Sequence, residues 1–203
     1  MAEHRAGGAR ERLIVAAAGQ LWDNGYAATS PAGIQRVAGA GQGSMYHHFS
    51  GKAELAHAAI ERLAGELEGE VDAVLDSDRA GVERVLDYLQ REREPLRGCR
   101  LGRLTGDPEV LGQETLRAPI SACLQRIQGR LADALTEAQR AGELDRSLDP
   151  AALAAAVTAV VQGGYVLARA EQDPAAFERA IEGARQLLTH TQLRKPETRR
   201  SKR

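Results

Sequence analysis

The sequence predicts an all-α protein: a nine-helix, two-domain architecture with a small N-terminal three-helix domain and a larger helical C-terminal one. Two observations carry this. Apolar residues recur three and four positions apart along nearly the whole chain, the period of a helix buried on one face, and no stretch alternates as a strand would. Glycine, Asp-Pro and Ser-Pro signals then cut the pattern into helix-sized pieces. A length of 203 residues is enough to bury a core, and 43% hydrophobic with 27% charged residues is a globular composition.

The elements follow in order. Leu13, Ile14, Ala17, Leu21 and Trp22 mark one face of a first helix, which Asn24-Gly25 stops. Thr29-Ser30-Pro31 reads as an N-cap with proline at the first helical position. The second helix is short, from Pro31 to about Ala38, with Ile34 and Val37 expected inward and Gly39 breaking it. A third runs from about Gln42 to His48. After Ser50-Gly51-Lys52 comes a long fourth, with Ala56, Ile60, Leu63, Leu67, Val71 and Val74 on one face. Val82, Val85, Leu86 and Leu89 carry the fifth, which Pro95 bounds. The sixth, about Cys99 to Leu111, must bend or break at Asp107-Pro108. Ile120, Leu124, Ile127, Leu131 and Leu135 carry the seventh, ending near Gly142. Asp149-Pro150 and Asp173-Pro174 start the eighth and ninth. Residues 1–51 and 52–193 are thus the two expected domains, and 194–203 is read as a disordered basic tail.

One stretch stands out, GQGSMYHHFSGK at 41–52, in a chain with only 3% aromatic residues. Two short helices around a glycine turn, braced by a preceding helix, are a helix-turn-helix candidate, whose second helix lies in the major groove of DNA. Gly39 suits the turn. Gly41, Gly43 and Ser44 are small enough for close backbone approach, and Gln42, Tyr46 and His47 can reach bases and phosphates. Met45 and Phe49, four apart, can anchor the helix inward; the Tyr46 ring could also be core. His47 and His48 do not suggest a metal site, because helix neighbours point about 100° apart.

The run LWDNGYAATSPAGIQRVAGAGQGSMYHHFSGKAEL, residues 21–55, resembles the N-terminal domain of the tetracycline-repressor-like (TetR) family of bacterial transcriptional regulators. The resemblance rests on Gly25-Tyr26, Thr29-Ser30, Ile34, Val37-Ala38-Gly39, Gly43 through Phe49, and Lys52. It implies a homodimeric repressor that binds a palindromic double-stranded DNA operator in the cytoplasm and is released by a small-molecule effector. It further implies that Gln42 and Gly43 face bases, that Ser44, Tyr46 and His47 touch phosphates or edge bases, and that Ser30 and Lys52 hold phosphates. Many members have a basic residue where Gln42 stands and a polar one where Gly41 stands, so this recognition helix carries little charge.

The larger half shows no catalytic constellation: no Ser-His-Asp grouping, no Cys-x-x-Cys and no phosphate-cradling glycine loop. No enzyme activity, metal or cofactor is expected. An effector pocket is expected between the fourth and eighth helices, and a largely apolar ligand with it. Its candidate lining residues are Leu63, Leu67, Tyr88, Leu89 and Cys99, then Leu104, Leu124, Ile127, Val161 and Tyr165; each could equally be core. The Ala-, Val- and Gly-rich eighth helix is either buried within the chain or, as expected, forms with the ninth the dimer interface, through Val160, Gly163, Gly164, Phe177, Ile181, Ala184 and Leu188. Cys99, flanked by Arg97 and Arg100, is either an inert thiol or a redox sensor. Five arginines between 91 and 103 either pair with the acidic body or meet an anionic ligand.

Charge and targeting complete the reading. The net charge of −1 hides an uneven distribution: residues 194–203 hold six basic residues and one acidic, whereas 51–193 stand at −7. The polar start shows no signal peptide, and no apolar run approaches the roughly 18 uninterrupted residues of a membrane helix. Two cysteines argue against a disulfide framework.

Overall fold

Nine α-helices form among residues 8–190, the part of the chain that this computed structural model describes: α1 (Ala9–Asn24), α2 (Pro31–Ala38), α3 (Gln42–His48), α4 (Lys52–Leu75), α5 (Gly81–Gln90), α6 (Pro108–Gly112), α7 (Glu114–Arg140), α8 (Pro150–Glu171) and α9 (Pro174–His190). The all-α, nine-helix expectation holds. The expectation for the basic tail lies outside the described residues.

The termini form where the capping chemistry put them. Ser30 adopts extended backbone and its Oγ accepts the Gly33 N–H at 3.1 Å, with Pro31 opening α2. Asp149 caps α8 in the same way, accepting from the Ala151 N–H at 2.9 Å. Gly39 closes α2 at φ 59°, ψ 36°, the left-handed region where a Cβ would be strained. The sixth helix differs from expectation. Gly102–Gly106 form a 3-10 turn and the α-helix begins only at Pro108, capped by Asp107. Proline has no N–H to continue the preceding turn, but suits the first position of a new one.

The chain divides into two compact units: residues up to Glu70 with Glu94–Arg126, and Val71–Arg93 with residues from Ile127 onward. This division does not fall at residue 51. α4 and α7 are each too long to belong to one unit, and both contribute to the two.

In the first unit α1 packs on α2, on α3 and on the 3-10 turn. Leu13, Ala17, Leu21, Ile34, Met45, Phe49 and Leu55 are buried there. Trp22 sits beneath the Arg97 guanidinium, 3.4 Å from its ring centroid, and donates its indole N–H to the Gly98 carbonyl at 2.9 Å. In the second unit α9 packs on α5 and α8. Gly164 permits the closest approach: a Cβ there would stand 2.9 Å from the Phe177 ring. Phe177 in turn stacks on Tyr165 with centroids 4.8 Å apart.

Two expectations change. Val37 does not point inward; it is 66% exposed. The buried residues of α2 are Gly33, Ile34 and Ala38; the helical period puts Val37 between Gly33 and Ile34, but its side chain lines an open groove instead of the core. And although polar residues interrupt it, α8 is long and apolar enough to cross a membrane by length and composition alone. Its apolar character is split between a buried face (Ala154, Val157, Val161, Tyr165, Ala168) and an exposed one (Ala152, Ala155, Ala156, Ala159, Gly163, Val166, Leu167).

Candidate nucleic-acid interface

A seven-residue helix is marginal by itself, so α3 must be held by what it buries. Met45 is fully buried and Phe49 nearly so. The Gln35 side-chain amide lies 3.1 Å from the Met45 sulfur, tying α2 to α3. The Arg10 guanidinium covers Phe49, 5.4 Å from its centroid. With that face fixed, the opposite face is set by the helical period. Gly41, Gln42, Gly43, Tyr46 and His47 are exposed and Ser44 is half-buried. Tyr46 is 52% exposed, which rejects the core alternative for its ring. The His47 and His48 rings meet edge to face at 4.9 Å, and among the described residues no group of three metal-ligating side chains forms.

The flanking positions are equally defined. Lys52 opens α4, its Nζ 4.0 Å from the centroid of the Tyr26 ring. The Ser50 N–H donates to Glu54 Oε2 at 2.7 Å, closing the loop between α3 and α4. That backbone hydrogen bond holds the Glu54 carboxyl below the usual carboxylate range. Ser30 remains exposed while it caps α2. The arrangement is a shallow polar surface: small groups for close approach, one phenol, one imidazole and one ammonium at a helix N-terminus. It can donate hydrogen bonds to an anionic backbone, and it holds no nucleophile with a base beside it. Sequence reasoning passed over Arg36, exposed in the last turn of α2. It stands two residues from buried Ile34, so it lies on the far side of the helix.

The pocket candidates separate. Leu63, Leu67, Cys99 and Leu104 are buried in the first unit, and Leu124 there is half-buried. Tyr88, Leu89, Ile127, Val161 and Tyr165 are buried in the second. Cys99 Sγ accepts the Gly102 N–H at 3.2 Å. Its flanking arginines turn to other partners, Arg97 to Asp23 at 2.7 Å and Arg100 to Glu70 at 2.7 Å. Cys123 is sealed in, and burial, seconded by Glu68, pushes its thiol up to about 12. A groove of about 590 Å³ in the first unit is lined by Val15, Gly19, Val37 and the pair Glu11–Arg62, among others.

The expected dimer residues also divide. Gly163 is exposed and Val160 and Ala184 are half-buried. Gly164, Phe177, Ile181 and Leu188 are buried within this one chain, where α9 packs on α8 and α5, with Gly164 against Phe177. Outside that contact lie Val166 and Leu167 on α8 and Leu187 on α9, the last 73% exposed.

Comparison with known proteins agrees with this geometry. Residues 13–59 match the family described as bacterial regulatory proteins, tetR family, and residues 74–184 match the tetracyclin repressor-like C-terminal domain. The chain is 31% identical to the transcriptional regulator AcuR of Cereibacter sphaeroides, over 82% of this chain and 78% of that one. It is 26% identical to the nucleoid occlusion factor SlmA of Shewanella amazonensis, over 81% of this chain and 86% of the other. Among solved structures, the regulatory protein TetR from Rhodobacter sphaeroides superposes with a TM-score of 0.78 at 28% identity, covering 91% of this chain and 99% of that one. A tetR-family regulator from Cytophaga hutchinsonii superposes with a TM-score of 0.83 at 21% identity, covering 92% and 96%, which speaks for the fold alone.

Proposed function

The chain belongs to the tetR family of bacterial regulatory proteins, and we propose that it is a ligand-responsive repressor that binds a palindromic operator as a homodimer and is released by a small-molecule effector. The family is regulatory, not enzymatic, and its N-terminal part is a DNA-binding domain. One observation carries the finer reading. α3 buries Met45 and turns Gln42, Gly43, Tyr46 and His47 to solvent, with Ser44 half-buried beside them.

On this reading Gln42 and Gly43 meet base edges, with Gly41 allowing close approach. Ser44, Tyr46 and His47 meet phosphates or edge bases. Ser30 and Lys52 take phosphates, Lys52 with the positive end of the α4 dipole behind it. With few base-reading groups, specificity leans on DNA shape as well as contacts. The protein acts where the DNA is, in the cytoplasm.

Two heads need a dimer. An apolar stripe on α8 and α9 supports one: exposed Ala156, Gly163, Val166, Leu167 and Leu187, with half-buried Val160 and Ala184. Uncharged and made of small residues, it suits a two-fold partner bringing the same helices, a four-helix bundle. Two recognition helices then sit about 34–36 Å apart in successive major grooves. An effector that releases DNA must bind the DNA-free form more tightly.

The test is an in-vitro selection from random duplex DNA, followed by anisotropy titrations of the winners at two salt concentrations. The proposal requires a selected palindrome, a steep salt dependence, and loss of preference in Tyr46→Ala. Binding no tighter than to random DNA would sink it.

A further inference from the structure

Several arginines elsewhere in the second unit meet carboxylates: Arg84 pairs with Glu137, and Arg130 with Asp72 at 3.0 Å and with Asp76. Arg93 does not. Among the described residues it makes no ion pair with a carboxylate. Its Nη1 donates to the Leu89 and Arg91 carbonyls, each at 2.8 Å, and its Nη2 to the Tyr88 carbonyl at 2.6 Å. Its Nε is sealed from solvent without an acceptor, as are those of Arg84, Arg91 and Arg185; what sets Arg93 apart from the ion-paired Arg84 and Arg185 is that no carboxylate neutralises it. The guanidinium lies 5.2 Å from the Tyr88 centroid and 5.8 Å from that of Phe177, and Phe177 stacks on Tyr165. Burial lowers its pKa, an effect that Tyr88 opposes.

Carbonyl dipoles and ring faces soften a half-buried cation but do not neutralise it. A buried charge is normally paired, and an N–H out of water normally has an acceptor. Guanidinium is always charged and matches a carboxylate through parallel N–H donors. An apolar aromatic wall beside an unneutralised guanidinium is therefore complementary to a small organic acid: a carboxylate for the Arg93 Nε–H, a hydrocarbon part for Tyr88, Tyr165 and Phe177.

We propose that Arg93 anchors the effector of this regulator and that the effector is a small monocarboxylate. This rests on the reading of the chain as effector-responsive, and it narrows the largely apolar ligand expected from the sequence to an apolar acid.

The full chain is tested by thermal shift with straight-chain carboxylates from acetate to hexanoate and with benzoate. Their primary amides serve as neutral isosteres, and primary amines and alcohols complete the screen. Wild type, Arg93→Lys and Arg93→Met are each referred to their own ligand-free melting temperature, so a stability loss in a variant does not enter the result. At least one acid should raise the melting temperature while its amide does not. The apparent Kd should weaken about tenfold to hundredfold in Arg93→Met, as for a lost charge-assisted hydrogen bond, and less in Arg93→Lys. An acid that binds no better than its amide, or equally well in Arg93→Met, overturns the inference. So does a screen in which only amines or alcohols bind, which would leave the effector reading intact. A screen in which no class binds overturns the inference and counts against the effector reading as well.

Discussion

α3 and α8 are both helices with one buried face, and they differ in what the other face offers. α3 turns Gln42, Tyr46 and His47 to solvent over a buried Met45. α8 turns Ala156, Gly163, Val166 and Leu167 to solvent over a buried Val161 and Tyr165. A polar exposed face is content in water and can exchange that water for phosphate oxygens. An apolar one is not, and asks for another apolar surface. The same periodic pattern thus gives two exposed surfaces of opposite chemistry, which the proposed function assigns to nucleic acid and to a second copy of the chain.

The comparison breaks most readily at the apolar face. Val166→Asp with Leu187→Asp would place like charges across a two-fold contact. The expected result is a monomer by light scattering, with operator affinity falling about 10²- to 10⁴-fold as the linked second head is lost. Next is the support of the polar face. Ile34→Ala should destabilise the protein by about 2–5 kcal/mol in denaturant unfolding. Val37→Ala, its neighbour, should change stability by no more than about 0.5 kcal/mol because its side chain stands mostly in water. Within the α8–α9 contact, Gly164→Ala drives a methyl group into Phe177, for a cost of about 1–3 kcal/mol. Gly163→Ala, one residue away with open space around its α-carbon, should cost no stability.

The polar face itself should give smaller and more selective effects. Lys52→Ala should weaken all DNA sequences alike and lower the salt slope by about 1, whereas Tyr46→Ala, if it touches a base edge, should cost about 1–3 kcal/mol and change preference among sequences. The smallest effect concerns pH. The Ser50 N–H holds the Glu54 carboxyl below its unfolded value, so its stabilisation is complete above that unfolded value and is lost as pH falls through the folded one. Wild type should exceed Glu54→Gln in melting temperature at neutral pH, and the gap should close in acid.

Much of this was legible in the sequence because it is written in local signals. Ser30-Pro31, Gly39, Asp149-Pro150 and Asp173-Pro174 mark helix ends through backbone chemistry alone, and the structure ends its helices there. The exposed polar face of α3 was legible because Met45 and Phe49 fix its inside. What stayed hidden depends on partners distant in sequence. Val37 looks like core by composition and by helical period, but it lines an open groove. Phe177, Ile181 and Leu188 look like interface until the packing of α9 on α8 and α5 within one chain is seen to bury them. Arg93 is one of five arginines in a short run, and nothing local tells it from Arg97 or Arg100, whose carboxylates lie far away along the chain, at Asp23 and Glu70.

The most direct measurement is a hydroxyl-radical footprint of the full chain on its selected DNA, beside the Val166→Asp, Leu187→Asp variant. Two faces with two jobs predict two short protected patches on one side of the duplex, about one helical turn apart, lost together in the variant. A single patch that the monomeric variant protects equally well would contradict the account.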